Sequence, residues 1–157
     1  MKRILSSLAT LFLIPCLPLA FMAVSQAAAG KGTTETNKKL VRDFYEMAFN
    51  SHQPTEAAKK YIGPRYIQHN PGVPDGPEAF YTYFEGYFKA NPQSKVEIKR
   101  VLGDGDLVAL HLWSRQNDQD RGRAIVDIFR VENGKIVEHW DVIQAVPEKS
   151  ANTNTMF

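Results

Sequence analysis

The chain is nearly devoid of cysteine: Cys16 is the only one, and it falls inside an N-terminal apolar run. Downstream of it a disulfide framework and a thiolate-bound metal are both excluded, so packing alone must hold the fold. Compact histidine motifs such as HxxxH or HExxH are also missing, and no metal is expected. There is no block of basic residues either: 19 Lys and Arg stand against 17 Asp and Glu, a formal charge of +2. Neither nucleic acid nor an anionic membrane is therefore expected as a partner. Internal repeats and low-complexity tracts are absent as well.

The one long apolar stretch, Ile4 to Val24, follows Met1-Lys2-Arg3 and is interrupted by Pro15 and Pro18. Each proline removes a backbone donor and clashes with the preceding turn, which argues against a stable spanning helix. A basic start, an apolar centre and the small residues Ser25-Gln26-Ala27-Ala28-Ala29 predict a secretory signal peptide over 1–29, cut after Ala27 or Ala29. A lipid anchor on Cys16 would need a small residue before it, where Ile14-Pro15 stands. The expected location is periplasmic or secreted, with no membrane contact once the signal is cleaved. Losing Lys2 and Arg3 brings the basic count from 19 to 17, equal to the 17 acids, so the basicity belongs to the export signal.

About 128 residues then remain, a single-domain length: a flexible leader over 30–35 and one domain over 36–157. Leu40, Val41, Phe44, Tyr45, Ala48 and Phe49 recur at three- and four-residue spacing, predicting a helix capped by Thr36 or Asn37 that runs to about Asn50. Pro54 opens a second helix to about Tyr61, and Pro77 a third to about Ala90. Between them Arg65 to Pro71 is a short ordered segment leading into a turn-rich loop. The third helix carries Phe80, Tyr81, Tyr83, Phe84, Tyr87 and Phe88, enough aromatics to cover a sheet and also wall a cavity. Beyond Pro92 the period changes to two, predicting strands from Val96, over Leu107 to Ser114, over Arg123 to Val131, and over Ile136 to Val146. Helices followed by an antiparallel meander are α+β organisation.

The stretch VDIFRVENGKIVEHWD (126–141) sets acids and a histidine in strands that are otherwise apolar. A three-residue bulged loop, with Gly134 left-handed, would place Asp127 opposite His139 and Asp141 diagonally on the same face. A two-residue loop at Asn133-Gly134 would place Asp127 opposite Trp140 and turn Asp141 away. The bulged loop is expected, giving a cluster of two carboxylates and an imidazole suited to general acid/base work; a solvated outer face is the other reading. In Leu107 to Trp113, Val108, Leu110 and Leu112 share one face, while His111 and Trp113 share the other, at the surface or in a pocket. His69, in YIQHNP, is expected at the mouth of a cavity or in an exposed loop.

Together the segment YIQHNPGVPDG, the hairpin DIFRVENGKIVEHWDVIQ and the ending VPEKSANTNTMF resemble the SnoaL-like polyketide cyclase branch of the nuclear transport factor 2-like superfamily, over about residues 36–157. The resemblance implies an α+β cone: a curved, mainly antiparallel sheet wrapped around three helices, with an apolar internal pocket. It also implies metal- and cofactor-free aldol closure by an acidic residue. Carried onto this chain, it suggests Asp141 as principal base, Asp127 as helper and His69 at the pocket. His69 or His111 would hydrogen-bond the developing oxyanion, and Trp113, His139, Trp140, Tyr66 and Phe84 would contact an apolar or aromatic carbonyl substrate. A non-catalytic exported binding module using the same pocket is the alternative; a homodimer through the outer sheet face is compatible with both.

Overall fold

The computed structural model describes residues 32–157, and the expected signal segment 1–29 with Cys16 lies outside the described residues. Helix α1 spans Thr34–Tyr45 and is capped by Thr33, whose hydroxyl accepts from the Thr36 backbone N–H at 3.2 Å. It thus begins ahead of the expected Thr36, within the predicted leader, because Thr33 supplies the capping oxygen. The helix then widens into a π-helical turn, Glu46–Asn50, which brings Phe49 to stack on Tyr45 with ring centroids 4.3 Å apart. Single π turns of this kind re-aim side chains that a regular helix would send elsewhere.

Helix α2 (Pro54–Tyr61) leads directly into β1 (Ile62–Gln68), and α3 (Pro77–Ala90) follows. The remaining strands are β2 (Lys95–Asp104), β3 (Leu107–Arg115), β4 (Arg123–Glu132) and β5 (Lys135–Ala145). They form one open five-stranded sheet in the order β1-β5-β4-β3-β2. The expected α+β cone is present, with one change of plan. The segment foreseen as merely ordered between α2 and α3 is a strand, and it pairs in parallel with β5 while every other neighbour is antiparallel. Joining β5 at the sheet edge gives that segment's backbone groups partners that a loop would have left to water.

Alternation along the strands sends one set of side chains inward under the helices. Val108, Leu110 and Leu112 of β3, Phe129 and Val131 of β4 and Ile136 of β5 are buried against Val41, Phe44 and Ala48. Each such side chain contributes about 1.5–3 kcal/mol by leaving water. Phe44 sits at the centre, its ring within 5.4 Å of Phe80 and 5.9 Å of Phe129, tying α1 to α3 and the sheet.

The β4–β5 hairpin differs from the expected form. Asn133 and Gly134 both have positive φ, 51° and 73°, and Glu132 pairs with Lys135 across a two-residue loop. Asparagine tolerates the left-handed region because its short side chain bonds locally, so the supposed strain of a non-glycine there does not decide the turn. The bulge lies further along: Val131 pairs with Ile136 but Arg130 pairs with Glu138, leaving Val137 as the extra residue. Beyond it Phe129 faces His139 and Asp127 faces Asp141. Asp127, His139 and Asp141 therefore share the inner face, by a route other than the expected loop bulge.

Candidate functional site

Between the inner face of the sheet and the helices lies a cavity of about 300 Å³. Its walls are aromatic, from Phe44, Tyr45 and Phe49 on the α1 side and Phe80, Phe84, Tyr87 and Phe88 on α3. Asp127, His139 and Asp141 enter it from β4 and β5, and Tyr66, Gln68 and Asn70 from β1 and the residues after it. A polar group in so apolar a cavity is costly unless it is partnered, and Asp127, His139 and Asp141 each have a partner.

Asp127 is 5% exposed and accepts a hydrogen bond from the Tyr45 hydroxyl on Oδ2. Burial, and then the charge of Asp127, pushes the Tyr45 phenol well above its ordinary pKa, so it remains a donor. Burial pushes the Tyr66 phenol up in the same way. The other oxygen of Asp127, Oδ1, lies 3.6 Å from His139 Nε2. On the far side of that ring, Nδ1–H donates to Gln68 Oε1 at 2.7 Å, which orients the imidazole and turns Nε2 towards Asp127. The ring of His139 is 8% exposed and packs at 4.9 Å from Phe129. Asp141 is more open than Asp127, and its Oδ2 accepts from Asn70 Nδ2 at 2.7 Å. Two carboxylates thus face each other across adjacent strands with an imidazole beside them. Their arrangement suits holding a proton and moving it to or from a ligand in the cavity.

The same three side chains each offer a ligand atom within 4.8 Å of the others, a mixed nitrogen and oxygen set that a divalent ion also fits. The cluster itself was expected, but it forms no compact ligand motif, because strand pairing brings Asp127 to His139 and Asp141, which alternate along β5.

The other expected contacts divide by face. Tyr66 and Phe84 line the cavity with His139. His69 does not: it is exposed, pairs with Glu138 at 2.9 Å and stacks on Trp140 at 4.7 Å. Trp140 accompanies it on the outer face, since it alternates with His139 and Asp141 along β5. His111 meets Arg100 at 2.9 Å and lies near Phe157, while Trp113 packs under Arg115 and beside Phe157. The expectation that His69 or His111 serves the pocket fails on this geometry, and His139 is the one histidine among the described residues that lines it.

Tyr45, Gln68 and Asn70 were not singled out from the sequence, although each holds one of the three central groups. For Gln68 and Asn70 the signal was available. They alternate with Ile67 and His69 and so share the face of Tyr66.

The fold agrees with what comparison with known proteins finds. No curated protein matches the chain. Among solved structures, a protein of Acidithiobacillus ferrooxidans provisionally named a polyketide cyclase superposes with a TM-score of 0.60 at 18% identity, covering 69% of this chain and 87% of its own. One from Kribbella flavida, provisionally named a ketosteroid isomerase, gives 0.61 at 19% identity over 76% of this chain and 85% of its own. A SnoaL-like protein of unknown function from Burkholderia thailandensis gives 0.58 at 16% identity, over 72% and 98%. These likenesses carry the fold. Residues 39–149 match the SnoaL-like polyketide cyclase family, well over half of the chain, and the protein therefore belongs to that family.

Proposed function

We propose that the protein catalyses cofactor-free acid/base chemistry, a cyclisation or an isomerisation, on a small apolar or aromatic carbonyl compound held in the cone cavity. The observation that carries this reading is the direct opposition of Asp127 and Asp141 beside His139 in an aromatic-walled cavity. Asp141, the more open of the two, removes a proton from the carbon next to the carbonyl. The electron pair moves onto the carbonyl oxygen, and His139, entering the step as the imidazolium paired with the Asp127 carboxylate, gives its Nε2 proton to that oxygen. The enol then either attacks a second carbonyl of the same molecule, closing a ring, or is reprotonated at another carbon. Tyr45, Gln68 and Asn70 keep the three groups in place.

The family and the fold of its neighbours support cyclase or isomerase chemistry in general terms. The N-terminal pattern of residues 1–29 supports action in the periplasm or outside the cell. The outer sheet face, which exposes Val126 and Val142 at 41% and 72%, is the surface on which a second copy would pack.

The test is deuterium incorporation from heavy water into 2-tetralone and related aromatic ketones, followed by NMR. The wild type should accelerate exchange next to the carbonyl, and Asp127→Asn and Asp141→Asn should not. Ligand binding without any acceleration across the panel would replace this reading with that of a binding module.

A further inference from the structure

The cavity has two electrically different ends. At one end stand the paired acids; at the other, where β4 begins, Arg123 lines the opening together with Lys95 and Ser114. Arg123 occupies the same inward-facing series as Ile125, Asp127 and Phe129. It lies four positions before Asp127 along one strand, about 13 Å at the usual rise. Between them the walls are apolar, from Ile125, Phe84 and Phe88.

Arg123 has no carboxylate within ion-pairing distance among the described residues, unlike the strand residues Arg115 and Arg130, which both meet acids. Asp120 shares its loop and lies close enough to feel the Arg123 charge, but both oxygens of that carboxylate are engaged first by backbone N–H groups, of Gln116 and Gly122, each at 2.9 Å. The same bonds fix the backbone leading to Arg123. Gly122, at φ 80°, has no room for a Cβ against the Ser114 carbonyl and the Trp113 ring, and Trp113 Nε1 donates to Arg121 O at 2.9 Å. The guanidinium also lies near enough to the Tyr87 phenol to pull against the upward push of burial on that group. A guanidinium without an ion-pair partner at the edge of an apolar cavity attracts an anion and orients it through paired N–H donors.

We propose that Arg123, assisted by Lys95 and Ser114, forms an anion subsite, and that the natural ligand is an apolar or aromatic carbonyl compound bearing a carboxylate at the end remote from the reacting carbon. This rests on the cavity being the substrate site. It adds that the ligand enters in one orientation, since its anion is drawn to Arg123 and repelled by Asp127 and Asp141. The carbonyl end is thereby delivered to the acids.

The experiment compares two fluorescent probes with the same aromatic body, the anionic 1-anilinonaphthalene-8-sulfonate and the uncharged N-phenyl-1-naphthylamine. Arg123→Gln should weaken the anionic probe at least fivefold and leave the uncharged one within twofold; Lys95→Gln should give a smaller loss of the same kind. Arg100→Gln, on the outer face, should change neither. The uncharged probe reports that the cavity is intact in each variant. Equal weakening of both probes by Arg123→Gln, or of neither, overturns the subsite. These measurements need no turnover, so a protein that exchanges no protons can still pass them. A wild type that binds neither probe defeats the cavity reading itself.

Discussion

Asp127 and Asp141 are direct cross-strand partners on the inner face of β4 and β5, two acids where the sheet would ordinarily pair apolar residues. Like charges placed directly opposite each other weaken a sheet. Placing both in the floor of a cavity should cost the fold stability, as expected of a site built for the proposed proton transfer.

Asp141→Asn should therefore separate the two properties. The amide still accepts from Asn70 but carries no charge, so Tm should rise by a few degrees, about 3 °C for a domain of this size. Proton exchange should fall by about 10²- to 10⁴-fold, the usual worth of a positioned base. Calorimetry and the deuterium assay on one preparation check both; a lower Tm with unchanged exchange would remove Asp141 from its assigned role.

Tyr45→Phe should act in the opposite sense on the fold. Asp127 would keep its burial and lose its hydroxyl donor, a loss of about 1–3 kcal/mol. The substitution also changes the alkaline limb of stability. Because the phenols of Tyr45 and Tyr66 are raised by burial, their contribution is complete below the unfolded-state tyrosine value near 10 and declines as pH rises above it. Denaturation with urea at pH 8 and pH 11 should show a smaller decline for Tyr45→Phe than for the wild type.

The two histidines of the β1–β5 edge should behave differently. His69→Ala removes an outer-face contact with Glu138 and should leave exchange within about twofold, while His139→Ala should lower it by about 10²-fold or more. Equal losses from both would mean that His69 reaches the cavity in solution.

Chelation offers a further check on what the three central groups hold. Prolonged dialysis against a strong chelator should leave the deuterium exchange rate unchanged if they carry a proton. Loss of activity, restored by one divalent ion, would assign the same three atoms to a metal instead.

On the outer face, Glu138 should carry part of the acid sensitivity. Its carboxyl is held below the ordinary glutamate value of 4.5 by Arg130 and then by His69. A depressed carboxylate stabilises the fold above its unfolded-state pKa and loses that contribution as pH falls through the folded value. Glu138→Gln should lower Tm at pH 7 by no more than about 3 °C and make no difference near pH 2, measured by circular dichroism.

Much of this was legible from the chain because periodicity survives folding. The apolar stripe of α1, the aromatic face of α3 and the alternation of Val108, Leu110 and Leu112 all appear where spacing puts them. The site was legible only in part, and the gaps have one physical cause. A strand sends successive side chains to opposite faces, so Trp140 was incompatible with a pocket containing His139 and Asp141, and His69 with one containing Tyr66. Applied to YIQHN, that rule selects Gln68 and Asn70. What no local rule supplied was the hydroxyl of Tyr45 reaching a carboxylate on β4, which depends on how α1 crosses the sheet. The parallel docking of β1 on β5 depends likewise on contacts distant in sequence.

The extra residue at Val137 also changes how relatives should be aligned with this chain. A hairpin with the same two-residue turn and no bulge carries the residue opposite Asp127 one position closer to its turn. A motif defined by fixed spacing from Asn133-Gly134 would therefore equate Asp141 with an outward-facing neighbour in such a relative, and a gap opened at Val137 restores the match. Family signatures drawn through this strand should count from the sheet pairing, not from the turn.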